Sequence, residues 1–244
     1  MRVTRIFTPE PLQSPGRTTL YGTAASHVAR VLRLRSGDAV VLFNGDGWEH
    51  AGRIDALRSG EVAIELLARE GGVADSPLPV TLLQGVARGE RMDLVVQKAT
   101  ELGVARIVPV LAARSVVRLD GRQAQRKLEH WQAVAIAACE QSGRSRLPAV
   151  QAPVTLEQAL SGLPTQGCRF TLSPGAGVPL AALAGGTDQV SLLIGPEGGL
   201  TEAEIGLATG AGFEPRSLGP RILRTETAAL AALAVLQAVG GDLR

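Results

Sequence analysis

Cysteine is scarce in this chain. Cys139 and Cys168 are the only two in 244 residues, and neither belongs to a C-x-x-C pair. The three histidines, His27, His50 and His130, share no metal-ligand spacing, so neither a disulfide framework nor a metal site is expected. Aromatic residues make up 3% of the sequence, which leaves Ala, Val and Leu to build the core and few platforms on which single-stranded bases could stack. No apolar run approaches the length of a bilayer span; the longest, near the C-terminus, is about a dozen residues. The first residues, MRVTRIFTPEP, lack the hydrophobic centre of a signal peptide, so a reducing cytoplasm is the expected location. Lysine is nearly absent as well. Of 25 basic residues only Lys98 and Lys127 are not arginine, and arginine is the cation suited to bidentate contacts with phosphates and bases. Residues 80–150 carry a net charge of +5 and residues 151–244 a net −3, a modest pointer to a polyanion at the middle segment.

What is present divides the chain in two. In the first seventy residues, Val40 to Phe43, a run ending at Leu57, and the alternating Val62, Ile64 and Leu66 are separated by Asn44-Gly45-Asp46-Gly47 and Arg58-Ser59-Gly60. This pattern predicts a meander of β-hairpins, with a short helix over Ser26–Leu34. The segment Asp75-Ser76-Pro77-Leu78-Pro79 interrupts it, so a small β domain over 1–73 and a larger domain over 74–244 are expected. Beyond the linker, strands alternate with helices: Val80–Val86, a helical stripe of Met92, Val95, Val96, Ala99 and Leu102, then Ala105–Leu111. A long helix over 122–141 and strands over 168–172, 190–194 and 216–218 complete an α/β domain. The last helix, Ala228 to Val239, is apolar on nearly every face and suggests a subunit interface.

Two loops carry the chemistry. In LLIGPEGGLTEAE, residues 192–204, a buried strand enters a Gly-Pro-Gly loop, and Thr201 with Glu204 forms a capping box for the next helix. In LGPRILRTET, residues 218–227, a second Gly-Pro loop links a strand to the last helix and places Arg221, Arg224 and Glu226 at its mouth. Glycine admits close approach of backbone to ligand, and the loops beyond the carboxyl ends of strands are where α/β sheets bind small molecules. Two such loops on neighbouring strands could enclose one cofactor. Either could also be a plain connection, and Glu226 an ordinary first-turn acid favoured by the helix dipole. No GxxxxGK, early GxGxxG or GxSxG occurs, which argues against a Walker nucleotidase, a Rossmann dinucleotide site and a nucleophile elbow.

IGPEGGLTEAEI together with LGPRILRTETAAL resembles the paired signature of the RsmE family of ribosomal RNA methyltransferases. RGERMDLVVQKATELGV (88–104), IAACEQSGR (136–144), TRIF and HVARVLRLRSGD extend the match over nearly the whole chain. The resemblance implies a PUA-like β-barrel followed by a SPOUT-type α/β domain with a C-terminal trefoil knot, acting as a cytoplasmic homodimer. It implies S-adenosylmethionine-dependent methylation of a uridine N3 in 16S ribosomal RNA, with the RNA or the small subunit as partner and no membrane. The implied cofactor pocket is lined by Leu172, Ser173, Pro174, Ile194, Gly195, Pro196, Gly198, Gly199, Leu218, Gly219, Ile222 and Leu223. Members often carry a different small or polar residue where LSPGA has Ser173. Arg5, Arg30 and Arg33, joined by Arg88 and Arg114, are the RNA-binding candidates. For the chemistry, Arg221 or Arg224 is expected to stabilise a developing uracil anion while Glu226 or water accepts the proton, with Glu197 as the rival base. Another SPOUT activity, such as ribose 2′-O-methylation of transfer RNA, or a non-catalytic assembly factor, stays open.

Overall fold

The computed structural model describes residues 3–183 and 187–243. The chain forms two compact units: the residues up to Asp75 together with Cys139–Leu147, and Ser76–Ala138 together with Pro148 onward. From sequence the first domain is expected to end at residue 73. The return of 139–147 to it carries no local signal, because the first of those residues, 139–142, continue a helix that begins in the second unit.

In the first unit, β1 (Thr4–Phe7), β2 (Gly16–Tyr21), β3 (Ala39–Phe43), β4 (Trp48–Arg58) and β5 (Glu61–Gly71) form one sheet in the order β1-β3-β4-β5-β2. The period-two alternation buries Val40, Leu42, Ile54, Val62, Ile64 and Leu66 on one face, where Ile6, Leu20 and Val28 join them. Register shifts at Ala51/Gly52 and Ile54/Ala56 bend the long β4–β5 pair. The helix expected over 26–34 is instead α1 (Gly22–Ser26) running into a π-helical turn at His27–Val31. It ends where Arg33 takes a positive φ of 55°, a conformation that costs a side-chain-bearing residue roughly 1–2 kcal/mol.

The second unit holds β6 (Val80–Gly85), α2 (Arg91–Glu101), β7 (Arg106–Val110), α3 (Gly121–Ser142), β8 (Ala149–Val150), α4 (Leu156–Ser161), β9 (Cys168–Leu172), β10 (Val190–Ile194), α5 (Glu202–Gly210), β11 (Glu214–Arg216) and α6 (Thr225–Gly240). Its six strands pair in the order β11-β9-β10-β6-β7-β8, each pair parallel. A parallel sheet is covered on both faces, and its central strands therefore read as unbroken apolar runs; every residue of β10 is buried. Alternate residues serve opposite faces. Leu82, Ile107 and Leu192 pack with α2, α3 and α6, through Val95, Val96, Trp131, Leu233 and Leu236 among others. Leu83, Val108, Val110 and Leu193 pack with Leu156, Ala159, Ala208 and Phe213. The last strand lies at Glu214–Arg216, two residues earlier than expected, because Phe213 turns into the core and ends the turn after α5.

This arrangement gathers the carboxyl ends of β6, β9, β10 and β11 on one edge of the sheet. Leu192, fully buried at its centre, tests how far the edge depends on the core: Leu192→Ala is expected to cost about 2–5 kcal/mol in urea unfolding.

Candidate functional site

At that edge lies a cavity of about 690 Å³, within the size range of small-molecule sites. Three chain segments form its walls: Thr171 to Pro174 after β9, Ile194 to Leu200 after β10, and Pro215 to Thr225 between β11 and α6. The two Gly-Pro loops thus face one space. Of the residues expected to bind a cofactor, Leu172, Ser173, Pro174, Ile194, Gly195, Pro196, Gly199, Leu218, Gly219, Ile222 and Leu223 line it, and Arg221, Arg224 and Glu197 stand on its wall. Ile222 is 85% exposed, an apolar side chain held at the open rim.

Gly198 is the exception. A Cβ there would lie 2.9 Å from the Cβ of Arg114, so this glycine makes room for Arg114 and takes no part in the lining. Arg114 in turn donates from Nη1 to the carbonyls of Gly198 and Leu200, 3.3 Å each. From the sequence alone Arg114 is an RNA candidate; in the structure its guanidinium braces the loop. Arg88 is exposed, and its backbone N–H donates to Glu197 Oε1 at 3.0 Å. In the first unit Arg30 and Arg33 are exposed. Arg5 is not: its guanidinium is buried against Glu49, the carbonyl of Arg144 and the Ser145 hydroxyl, with the Phe43 ring 4.8 Å away. Its Nη1 and Nη2 are engaged inside the unit.

The loops are joined by a buried hydrogen-bond relay. Gln84 Nε2 donates to Thr225 Oγ1 at 2.8 Å, and Thr225 Oγ1 donates to the Gly195 carbonyl at 2.6 Å. Close packing adds to it, since a Cβ on Gly85 would sit 2.4 Å from the Pro196 nitrogen. On the far side of the first loop the Thr201–Glu204 capping box forms as expected, and Glu204 Oε1 also accepts from the Ala113 N–H at 2.8 Å. Burial pushes the Glu204 carboxyl upward, but the N–H groups of Thr201 and Ala113, the Thr201 hydroxyl and the Arg114 charge outweigh it and hold its pKa below the ordinary value.

Arg91, at the start of α2, is a cavity residue that sequence patterns do not single out. Its Nη1 lies 2.8 Å from Glu197 Oε1 and its Nε 3.9 Å from Glu226 Oε1. Burial again raises the Glu197 carboxyl, and the N–H groups of Arg88 and Glu197 with the Arg91 guanidinium overcome this and lower its pKa. A carboxylate so held is a weak base. Glu226 sits in the first turn of α6 behind the wall formed by Thr225 and Ala228; it is buried, and its Oε2 has no hydrogen-bond partner among the described residues. Among the described residues no cluster of His, Cys, Asp or Glu could hold a metal ion.

Comparison with known proteins follows the same division. A family model for an RNA methyltransferase domain matches residues 74–237, and one for an RNA methyltransferase PUA domain matches residues 20–67. The ribosomal RNA small subunit methyltransferase E of Bacillus subtilis is 31% identical across 94% of this chain and 93% of its own length; that of Synechocystis is 37% identical across 94% and 76%. Among solved structures, a methyltransferase from Legionella pneumophila in complex with its cofactor SAM aligns over the full length of both chains with 40% identity and a TM-score of 0.95. A ribosomal RNA small subunit methyltransferase E from Neisseria gonorrhoeae bound to S-adenosyl methionine does so with 37% and 0.92.

Two outcomes follow from the loop packing. Gly85→Ala forces Pro196 away and is expected to weaken S-adenosylmethionine binding at least about tenfold by calorimetry while the protein stays folded. Glu204→Gln removes a carboxylate whose folded pKa is lowered. Its stabilisation is fully present above the unfolded value of about 4.3 and fades as pH falls through the folded one. The variant is therefore expected to lose about 1 kcal/mol in urea unfolding at neutral pH, and the difference to shrink under acid conditions.

Proposed function

The chain belongs to the ribosomal RNA small subunit methyltransferase E family, and on that premise we propose that it transfers the methyl group of S-adenosylmethionine to N3 of a uridine in 16S ribosomal RNA. One observation carries the reading: both Gly-Pro loops line a single cavity, with Arg221 and Arg224 on its wall. The cavity fits the cofactor in size and in kind. Its walls are backbone-rich turns with Leu, Ile and Pro side chains, suited to an adenine and a bent aliphatic chain. Leu172 to Pro174, Ile194 to Gly199 without Gly198, and Leu218 to Leu223 would hold it.

When bound, the cofactor supplies an electrophilic methyl on a sulfonium. The remaining work falls to the protein. Uracil N3 is a poor nucleophile while protonated, so its proton must leave as the N–CH3 bond forms and the S–CH3 bond breaks, the bonding pair staying on sulfur. Arg221 or Arg224 stabilises the charge that develops on O2 or O4 of the base, and Glu226 or water takes the proton. The lowered pKa of Glu197, whose Oε1 accepts from both the Arg88 N–H and the Arg91 guanidinium, leaves it the poorer acceptor. The buried, unpartnered Oε2 of Glu226 is the one with capacity to spare.

The match of residues 20–67 to a PUA domain of RNA methyltransferases supports 1–73 as a PUA-like, RNA-binding domain, with Arg30 and Arg33 as its contacts. Residues 74–244 form the catalytic domain. After β11, at one edge of the sheet, the chain returns to lay α6 against β10 and β6, and Ser217 is bridged to Pro179 on the way; this path supports a C-terminal trefoil knot. The half-exposed Ala231, Ala234 and Val235 and the exposed Val239 of α6 support a homodimer through that helix. A ribosomal RNA substrate supports a cytoplasmic location; among the described residues no helix is long and apolar enough to cross a membrane.

The test is methyl transfer to small subunits and to naked 16S RNA from cells lacking the protein, with the modified nucleoside identified after hydrolysis. 3-Methyluridine is expected, and a ribose-methylated nucleoside or no incorporation overturns the proposal. Glu226→Gln is expected to slow single-turnover transfer by roughly 10²–10⁴ with little change in cofactor affinity; full turnover would exclude Glu226 as the base.

A further inference from the structure

Of the charged groups on the cavity wall, Glu197 does not fit the chemistry unaided. The reaction begins with a positive sulfonium and builds negative charge on a nucleobase. An uncompensated carboxylate beside that path acts against it twice, by stabilising the sulfonium of the ground state, whose charge vanishes on transfer, and by repelling the incipient uracil anion. Interactions stronger in the ground state than in the transition state slow a reaction. In the structure the carboxylate does not stand alone. Arg91, entering from the start of α2, is 2.8 Å from it and 43% exposed at its side chain, turned into the same cavity. The same guanidinium is 3.9 Å from Glu226, whose second oxygen remains unpartnered.

We propose that Arg91 is a positioning residue that neutralises Glu197, so that the first Gly-Pro loop can be anchored by a carboxylate without presenting a free negative charge to the cofactor's sulfonium. The anchoring itself is visible: Glu197 Oε1 accepts the backbone N–H of Arg88, which ties the loop to the segment after β6. The loop needs that acceptor, and the reaction needs its charge silenced. A single guanidinium reconciles the two. The inference rests on the methyltransferase reading of the cavity.

S-adenosylmethionine and S-adenosylhomocysteine differ by one methyl and the sulfonium charge, so the ratio of their dissociation constants isolates that charge without any turnover. Calorimetry on the full chain is expected to show Arg91→Met shifting the ratio toward S-adenosylmethionine by at least about threefold, the scale of a partly exposed ion pair. Single-turnover transfer is expected to fall by about tenfold or more. Arg91→Met combined with Glu197→Gln is expected to return the ratio toward the parent value and to recover much of the lost rate, a coupling that a brace or a direct RNA contact would not produce. Should Arg91→Met fail to fold, Arg91→His gives the comparison within one protein: the ratio moves toward S-adenosylmethionine as pH rises from about 5.5 to 8 and the imidazolium loses its charge, relative to a flat parent. A ratio indifferent to Arg91, or a double variant no faster than Arg91→Met, overturns the inference. If the parent protein binds neither compound, the methyltransferase reading falls instead.

Discussion

The hydrogen bond from the Thr225 hydroxyl to the Gly195 carbonyl holds the two halves of the site to each other. Gly195 belongs to the loop after β10, Thr225 to the first turn of α6, and Gln84 of β6 donates to the same hydroxyl from below. Gln84 and Thr225 are buried. Breaking the contact would leave the Gly195 carbonyl without its side-chain donor, at roughly 1–3 kcal/mol for a stranded group. The start of α6 is therefore fixed relative to the first loop, and with it the places of Arg224, Glu226 and the segment from Leu218 to Leu223.

Around this link the first loop is restrained by several further groups. Arg114 holds its carbonyls, Glu204 caps the helix that follows and reaches across to Ala113, and Arg88 and Arg91 hold Glu197. A displacement reaction needs nucleophile, carbon and leaving group aligned, and a frame that is already rigid loses little when its ligand arrives. The charges are distributed accordingly. Lowered pKa values mark the carboxylates that brace the loop. Glu226, the carboxylate with an open oxygen, belongs to the helix that the Thr225 hydroxyl pins in place.

The frame was legible in sequence wherever a local rule dictates it. The Thr201–Glu204 capping box, the unbroken apolar run of β10 and the alternation in β5 each depend on neighbours a few residues apart. The pairing of the two Gly-Pro loops could be posed as a question from their common design. The groups that answer it were not legible: Gln84 and Thr225 lie 141 positions apart, and Gly85 reads as one more strand-end glycine until Pro196 is seen pressed against it. Arg91 is hidden for a related reason. It opens a helix whose apolar stripe explains the surrounding residues, and nothing local tells a solvated arginine from one facing two carboxylates contributed by distant segments.

The same limit explains why an arginine-rich sequence cannot be sorted by composition. Arg5, Arg30 and Arg33 look alike on paper, yet a guanidinium has five donors, and the decisive question is where they are already committed. Arg5 gives its donors to Glu49, Ser145 and a carbonyl beneath the sheet, in low-dielectric surroundings where withdrawing them would strand a carboxylate. Arg30 and Arg33 instead occupy an exposed turn in which the helix loosens to π geometry and Arg33 accepts a left-handed backbone. No packing need on the first unit's core side requires that strain, since Val28 alone of the π turn is buried. Glycine would adopt that backbone without cost, so the arginine stands on the surface at an expense in stability that the packing of this unit does not explain.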